Sequence, residues 1–285
     1  MNSSQLVWVT GAGGLIGNYL AQTALQFASN WQVRRLTRKN LDLLDFAVVR
    51  RAFKKEKPRL IIYCAAMSKS PDCQAQPDLA RRVNVEATAR LSELAADIPF
   101  VFFSSDSVFD GRKGNYVETD SPNPLSVYAE TKVAAEKIVA RHPRHLIIRT
   151  SLTGGCSPTG DRGFNEGLVK AWREGRTVTL FEDEFRSPMA AVETAHAVWE
   201  LLARGATGTY HVAGAERLSR WQIGELLAAR WAALMPQINR TSLRTYSGPP
   251  RSPDTSLSCA KAQKLLSFPL PGLTDWLAAN PNESF

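Results

Sequence analysis

Short apolar segments alternate with amphipathic ones through the first half of the chain. Five segments of five or six mostly apolar residues predict buried strands, at Leu6–Thr10, Trp31–Leu36, Leu60–Cys64, Phe100–Ser104 and His145–Thr150. Between them, apolar residues at helical spacing predict helices from Leu15 to between Phe27 and Asn30, near Phe46–Lys55, and at about Asp78–Ala96 and Val127–Ala140. Short apolar strands separated by helices predict an α/β fold, a doubly wound parallel sheet with helices on both faces.

From Ser151 the regular alternation loosens. Loops precede a predicted helix at about Phe164–Glu174, and a second helix is predicted at Ala190–Ala203. We expect residues 1–152 to form the main domain, with 189–204 returning to it, and residues 153–285 to form a smaller, discontinuous C-terminal lobe. The proline-rich loop Ser247–Pro253 is expected to border the functional site rather than to link domains.

A glycine-rich turn, Thr10–Gly17, follows the first strand directly. Gly11 is expected to take a positive φ as the chain leaves the strand, Gly14 to let the backbone approach a phosphate, and Gly17 to let the helix pack close to the sheet. The first free N–H groups of the helix, which would face the anion, belong to Leu15 and Ile16. The turn predicts a Rossmann-like fold that binds a dinucleotide pyrophosphate, and a tight turn without ligand is the alternative.

Three residues suggest the chemistry of an enzyme. Tyr128 and Lys132 lie four residues apart and share one face of a predicted helix. An ammonium near the phenol would lower the pKa of the tyrosine, and the same lysine could bind ribose hydroxyls. Ser105 follows a buried strand at the carboxyl edge of the sheet, where its hydroxyl could bind a substrate carbonyl. A surface Tyr/Lys pair and a strand-capping hydroxyl are the alternatives.

Composition narrows the function classes. With 285 residues, 44% of them hydrophobic, the chain can bury a substantial core. The net charge of +8 is dispersed over helix faces, so we expect anionic small molecules rather than nucleic acid. Four widely spaced cysteines and four histidines form no metal or disulfide pattern, so no metal is expected. No apolar run is long enough to span a membrane, and we expect a cytoplasmic protein without membrane contact.

Taken together, these motifs resemble the extended short-chain dehydrogenase/reductases, and most of all their dTDP-4-dehydrorhamnose reductase branch. The resemblance rests on Thr10–Gly17, Cys64-Ala65-Ala66, Val83-Asn84-Val85, Ser104–Gly111, Tyr128–Lys132, Arg149-Thr150-Ser151, Phe185–Pro188 and Gly208–Gly214. It implies NADPH-dependent reduction of a carbonyl group, and a nucleotide sugar with a 4-keto group is the small-molecule substrate it favours. It also implies that residues 1–152 bind the cofactor and 153–285 the substrate.

The resemblance implies a role for each site residue. Tyr128 would donate the proton, Lys132 would lower its pKa and hold the ribose, and Ser105 would orient the carbonyl. Asn84 resembles the family asparagine that supports the active-site helix. Further cofactor contacts are implied for Asp42 and Leu43, beside the adenine, and for Cys64, Ala65 and Ala66, at the end of the third strand.

The residue after the second strand bears on the choice of cofactor. NAD-selective sites usually carry an acidic residue there, whereas this chain has Arg38. A guanidinium suits a 2′-phosphate, so NADP(H) is favoured over NAD(H), with a solvent-facing Arg38 as the alternative.

Other features leave the function open. The segment Met67–Cys73 departs from the Val-Asp-Lys-Ala-Glu pattern usual in the branch, so the substrate is not fixed. Arg186 could bind a substrate phosphate, with a structural ion pair as the alternative. Two further functions remain: an NADP-binding regulatory subunit resembling the methionine adenosyltransferase beta subunit, and an NAD-retaining sugar-nucleotide epimerase. Two helices of the half-sheet could pair two copies into a homodimer.

Overall fold

The computed structural model describes residues 5–283 and 285, and the described residues form an α/β fold around a parallel sheet of six strands. In chain order the strands are β1 (Gln5–Thr10), β2 (Trp31–Leu36), β3 (Leu60–Tyr63), β4 (Phe100–Ser105), β5 (His145–Thr150), β6 (Thr153–Gly154), β7 (Val178–Phe181), β8 (Phe185–Arg186), β9 (Met189–Ala190), β10 (Gly208–His211), β11 (Leu218–Ser219) and β12 (Ile238–Thr241). The order across the central sheet is β10-β5-β4-β3-β1-β2. The strand order therefore reverses between β1 and β3, where ligands bind in open sheets of this kind.

The helices flank this sheet. They are α1 (Leu15–Phe27), α2 (Phe46–Glu56), α3 (Ser70–Ala75), α4 (Pro77–Arg81), α5 (Ala87–Leu94), α6 (Val127–Val139), α7 (Phe164–Arg173), α8 (Ala191–Ala203), α9 (Arg220–Arg230), α10 (Ala260–Gln263) and α11 (Leu273–Ala279). The predicted helix at Asp78–Ala96 is divided, because a π-helical turn over Arg82–Glu86 separates α4 from α5. Helix α3 was not predicted, whereas α1, α2 and α6 agree with prediction to within a residue at most boundaries.

Two apolar cores cover the two faces of the sheet. On one face, Val7, Val9 and their strand neighbours pack under α1 and α8, and the Trp199 indole N–H donates to Leu20 O at 3.2 Å. On the other face, Trp8, Ile61 and their neighbours pack under α2, α5 and α6. Burial on both faces explains why β3 is apolar at every position.

The rest of the chain forms a third core over the carboxyl edge of the sheet. Strand β7 pairs with β12, and α7, α9 and α11 pack around them. Strand β10 joins the central sheet, so the chain returns to that sheet beyond 189–204. The division into a cofactor domain and a substrate lobe stays a prediction. Among the described residues no helix is both long and apolar enough to cross a membrane.

Candidate active site

The glycine turn lies against the ends of three strands. Gly11 has a φ of +65°, and a Cβ there would come within 2.7 Å of the backbone of Cys64 and Ala65. The Thr10 hydroxyl accepts from the Ala65 N–H at 3.3 Å, and the Ala12 N–H donates to Leu36 O at 3.0 Å. Glycine is therefore required at Gly11 both by its φ and by the segment after β3.

Helix α1 starts directly from this turn. A Cβ on Gly17 would lie 2.6 Å from Gly11 O, so this glycine lets the helix approach the turn itself, rather than the sheet as its spacing suggested. Gly14 is the N-cap, with no side-chain cap and no acidic residue in the first turn. The first N–H groups of a helix have no partner within it, and here they belong to Leu15, Ile16 and Gly17. This uncapped end, at a glycine turn packed directly against the segment after β3, fits a pyrophosphate.

The other residues expected at the cofactor lie in the segments that follow β2 and β3. Arg38 is exposed in the turn after β2, where no partner for it is found among residues 5–283 and 285. Asp42 is exposed and accepts from Leu44 N–H, while Leu43 packs partly against the core. The half-buried segment directly after β3 is Cys64, Ala65 and Ala66.

The Ser105 hydroxyl lies in a dense polar cluster at the end of β4. It donates to Asp106 Oδ1 at 3.0 Å and lies 2.8 Å from the Ser107 hydroxyl. Asp106 is buried, and its Oδ2 also accepts from Ser151 at 2.6 Å and from Thr255 at 3.0 Å. Asp106 therefore holds Ser105 in place, a role that the sequence did not reveal because two of its partners are far along the chain.

Tyr128 is in the first turn of α6. Ser126 is the N-cap of this helix, and its hydroxyl accepts from the Ala129 N–H. Burial raises the pKa of Tyr128 well above its ordinary value, a hydrogen bond with Ser105 acts in the opposite direction, and the Asp106 charge raises it further. Ser105 and Tyr128 are thus together, as expected. In the chain by itself burial, rather than Lys132, governs the pKa of the phenol.

Lys132 lies one turn further along α6 and is only 3% exposed. Its ammonium donates to Phe103 O and lies 4.1 Å from the centre of the Phe102 ring. Burial lowers the pKa of Lys132 to about 8, while Glu136 and Cys64 act to raise it. Lys132 is therefore a cation close to its titration point at neutral pH.

Asn84 connects this helix to the segment after β3. Within the π-helical turn its amide donates to Met67 O at 3.0 Å and to the Thr131 hydroxyl at 2.9 Å, and its oxygen accepts from Met67 N–H at 2.8 Å. Thr131 in turn donates to Tyr128 O at 2.7 Å. This chain of hydrogen bonds fixes the first turn of α6, consistent with the supporting role implied for Asn84.

Arg186 is buried in a cluster of charges beside Asp106. It donates to Glu184 at 2.7 Å and to Ser252 O at 3.1 Å, and its Nε lies 3.7 Å from Asp106. Arg220 and Arg251 also pair with Glu184, at 3.3 and 2.7 Å. Burial alone would raise the pKa of Glu184, but the three arginines bring it below its ordinary value. Arg186 thus has a structural ion pair, within a cluster that carries more arginines than carboxylates.

The proline-rich loop continues into the same cluster. The Ser252 hydroxyl donates to Phe109 O at 3.0 Å, and the Arg251 guanidinium lies over the rings of Phe181 and Tyr246. The loop therefore packs against the polypeptide that follows β4 rather than linking two domains. Among the described residues no three His, Cys, Asp or Glu side chains are grouped as a metal site would need.

Comparison with known families gives one match over almost the whole chain. Residues 5–281 match the family described as RmlD substrate binding domain. A probable low-salt glycan biosynthesis reductase, Agl14 of Haloferax volcanii, is 30% identical over 95% of this chain and 96% of that protein. The methionine adenosyltransferase 2 subunit beta of Xenopus laevis is 26% identical over 92% of this chain and 83% of that protein.

Solved structures share the fold. A dTDP-4-dehydrorhamnose reductase from Bacillus anthracis in complex with NADP superposes with a TM-score of 0.88 at 22% identity, covering 97% of this chain and 98% of that one. A UDP-glucose 4-epimerase from Thermus thermophilus in complex with NAD gives a TM-score of 0.78 at 22% identity, over 94% and 96%. At these identities the likeness concerns the fold alone.

Proposed function

We propose that this chain, which belongs to the RmlD substrate binding domain family, reduces the keto group of a sugar nucleotide with NADPH. It is an NAD(P)-dependent oxidoreductase of the extended short-chain dehydrogenase/reductase type. The observation that carries the proposal is the meeting of Ser105, Tyr128 and Lys132 at the carboxyl edge of β4, beside the glycine turn. Relatives named as reductases support the direction of the reaction.

The proposed chemistry divides between the cofactor and the chain. When bound, the dihydronicotinamide supplies a hydride to the carbonyl carbon. Tyr128 gives its phenolic proton to the carbonyl oxygen, and its high pKa keeps that proton available at neutral pH. Ser105 holds the same oxygen, while Asp106 fixes the serine hydroxyl. Lys132 binds ribose hydroxyls and stabilises the phenolate left by proton transfer.

NADPH is proposed over NADH because of charge at the turn after β2. Arg38 is exposed there, next to the glycine turn, and no carboxylate occupies the position that would hold a 2′-hydroxyl. The reductase from Bacillus anthracis, which has the same fold and is in complex with NADP, supports the same choice. The epimerase in complex with NAD shows that proteins of this fold bind either cofactor. We expect Arg38→Gln to weaken NADPH binding much more than NADH binding.

The substrate is proposed to be an anionic sugar nucleotide. The arginine cluster beside Asp106 contains Arg186, Arg220 and Arg251 against two carboxylates, which leaves an excess of positive charge next to the reacting serine. Arg251 is the most exposed of the three, with a side chain 36% exposed, and so is the best placed to meet a phosphate. Arg186 instead stabilises the cluster through its ion pairs with Glu184 and Asp106.

The regulatory-subunit alternative draws on the relative from Xenopus laevis. Such a subunit would bind NADP without turning it over on a ketone. Mixing the chain with a methionine adenosyltransferase catalytic subunit discriminates the two. A stable complex with altered synthetase kinetics, without reduction of any ketone, would favour the alternative. An epimerase would interconvert sugar nucleotides without net oxidation of NADPH.

The decisive experiment is NADPH oxidation with a panel of dTDP-4-keto-6-deoxy sugars, followed by absorbance of the reduced nicotinamide. Tyr128→Phe removes the proton donor and should reduce kcat by about 100-fold or more with little change in NADPH affinity. Tyr210→Phe, the same substitution on β10 away from Ser105, is the matched control and should retain activity. Tight NADPH binding with no oxidation on any ketone would refute the reductase assignment.

A further inference from the structure

We propose that Glu136 is a positioning residue that keeps Lys132 in its ammonium form, and that Arg149 limits how strongly it does so. The proposal rests on the proposed function, since it concerns the lysine of that reaction. It adds to the site two residues that touch neither Ser105 nor Tyr128.

The geometry starts from the spacing on α6. Tyr128, Lys132 and Glu136 follow one another at intervals of four residues, so they lie along one face of the helix. Lys132 is 3% and Glu136 6% exposed, and water therefore screens their interaction poorly. A buried carboxylate on the helix face of a buried ammonium favours the charged form of that ammonium.

No described carboxylate pairs directly with Lys132. Strand β4 offers it only the Phe103 carbonyl and the face of the Phe102 ring, and the segment after β3 offers the Cys64 thiol. Burial lowers the pKa of Lys132, and Glu136 is the foremost group acting to raise it. The cation thus depends on a carboxylate that it does not touch.

That carboxylate is shared with Arg149 on β5. The Arg149 guanidinium donates to both Glu136 oxygens, at 3.0 and 2.8 Å, and both side chains are buried. Arg149 Nη1 is buried and finds no partner among residues 5–283 and 285, so its charge is answered mainly by Glu136. The positive charge of Arg149 therefore offsets part of the electrostatic attraction between the Glu136 carboxylate and Lys132.

A further ionisable group is His211 on β10, which lies in register with Arg149 on the neighbouring strand β5. Burial and the Arg149 charge lower the pKa of His211, while Glu118 acts to raise it. The imidazole is consequently neutral at physiological pH and adds no charge to the pair. Its Nε2 and the Ser104 hydroxyl, which is also in register with Arg149, are buried without a described partner.

This arrangement predicts opposite effects of two substitutions. Glu136→Gln removes the attraction and leaves the Arg149 charge, so the pKa of Lys132 should fall by about one unit or more. Arg149→Met releases the full Glu136 charge to Lys132, so the pKa of Lys132 should rise. A structural ion pair alone would make both substitutions destabilising and would give no reason for opposite pKa shifts.

The test is titration of the Lys132 side chain by NMR in the chain without cofactor, with lysine-labelled protein and Lys132→Met to assign the signal. The double variant Glu136→Gln/Arg149→Met removes both members of the Glu136–Arg149 ion pair, so neither is left buried without its partner, and it provides a form expected to fold if a single variant does not. The predicted order of Lys132 pKa values is Arg149→Met, wild type, double variant, Glu136→Gln, from highest to lowest.

The alkaline limb of kcat against pH for ketone reduction should move in the same order. Shifts of both single variants in one direction, or a double variant that titrates like the wild type, would overturn the proposal. NMR shifts in the predicted order together with no reductase activity would support the electrostatic role and count against the proposed function instead.

Discussion

At the scale of single residues, the site places a charge where the fold disfavours one. Lys132 is buried between the Phe102 ring and the Phe103 carbonyl, and burial brings its pKa from 10.5 to about 8. A shift of this size corresponds to about 3 kcal/mol of unfavourable free energy for the ammonium. The hydrogen bond to Phe103 O and the contact with the Phe102 ring offset part of that cost. The catalytic role proposed for Lys132 would explain why this cost is retained.

We therefore expect Lys132→Met to lose reductase activity yet to unfold at a temperature a few degrees higher than the wild type, a gain of about 1 kcal/mol. The unfolded chain holds the lysine proton up to pH 10.5, and the folded chain releases it near pH 8. The wild type thus gains stability as pH rises between these values. The advantage of the variant should be full below pH 8 and should shrink towards pH 10.5, as measured by calorimetry. A lower melting temperature at pH 7 would contradict this assignment.

Residue spacing was enough to predict that Tyr128 and Lys132 share a face, because a four-residue interval on a helix has only one geometry. It was not enough to find Asp106 as the residue that holds Ser105. Ser151 and Thr255, which donate to its carboxylate, lie 45 and 149 residues away in sequence, and no local pattern connects them. Side chains that meet only through the tertiary fold leave no periodic signal.

At the scale of elements, the first strand, turn and helix form a unit that the sequence predicted well. Strand β1, the positive φ of Gly11 and the start of α1 all agree with expectation, because each follows from adjacent residues. The π-helical turn at Asn84 was not predicted, since the three hydrogen bonds that accompany it reach Met67 and Thr131. The two-residue strands after Ser151 were also missed, because they are too short to alternate.

Substitution of glycines within the turn tests how much each one contributes to stability in the absence of cofactor. In Gly17→Ala the new Cβ would lie 2.6 Å from Gly11 O, a backbone atom that cannot move freely, so we expect a loss of about 1–3 kcal/mol in unfolding free energy. Gly13→Ala is the matched control, since its Cβ would meet only the Thr37 side chain, at 3.7 Å. Chemical denaturation without cofactor should distinguish the two variants. An equal loss of unfolding free energy in both variants would show that the contact with Gly11 O is not the reason why the turn does not tolerate alanine.

At the scale of the whole molecule, the positive charge that was expected to be dispersed over helix faces is concentrated at one edge of the sheet. Residues 31–60 contain ten Lys and Arg against three Asp and Glu, and so carry seven of the eight net positive charges. They form β2, the edge strand of the sheet, and α2, which packs on one face of the sheet. The turn after β2 that carries Arg38 lies between them, so this field surrounds the expected 2′-phosphate site.

This distribution predicts how NADPH should bind. Its association rate should fall steeply as salt is raised, measured by stopped-flow fluorescence. Arg38→Gln/Lys39→Gln should slow association about threefold or more. Lys54→Gln/Lys55→Gln, near the other end of α2, is the matched control. These lysines lie about one helix length from the start of α2, which is beyond the screening distance of about 8 Å. Their substitution should therefore change the association rate of NADPH little at physiological salt. Equal slowing by both pairs would show that only net charge matters.

The Asp106 carboxylate has a consequence for how the protein folds. Its donors come from the end of β4, from the loop after β5 and from a loop near the end of the chain. Bringing such distant segments together requires closing long loops, at a cost in chain entropy that slows folding. The Asp106 carboxylate therefore has its full set of donors only where segments from most of the polypeptide meet. The glycine turn, by contrast, is held by contacts within the first 65 residues.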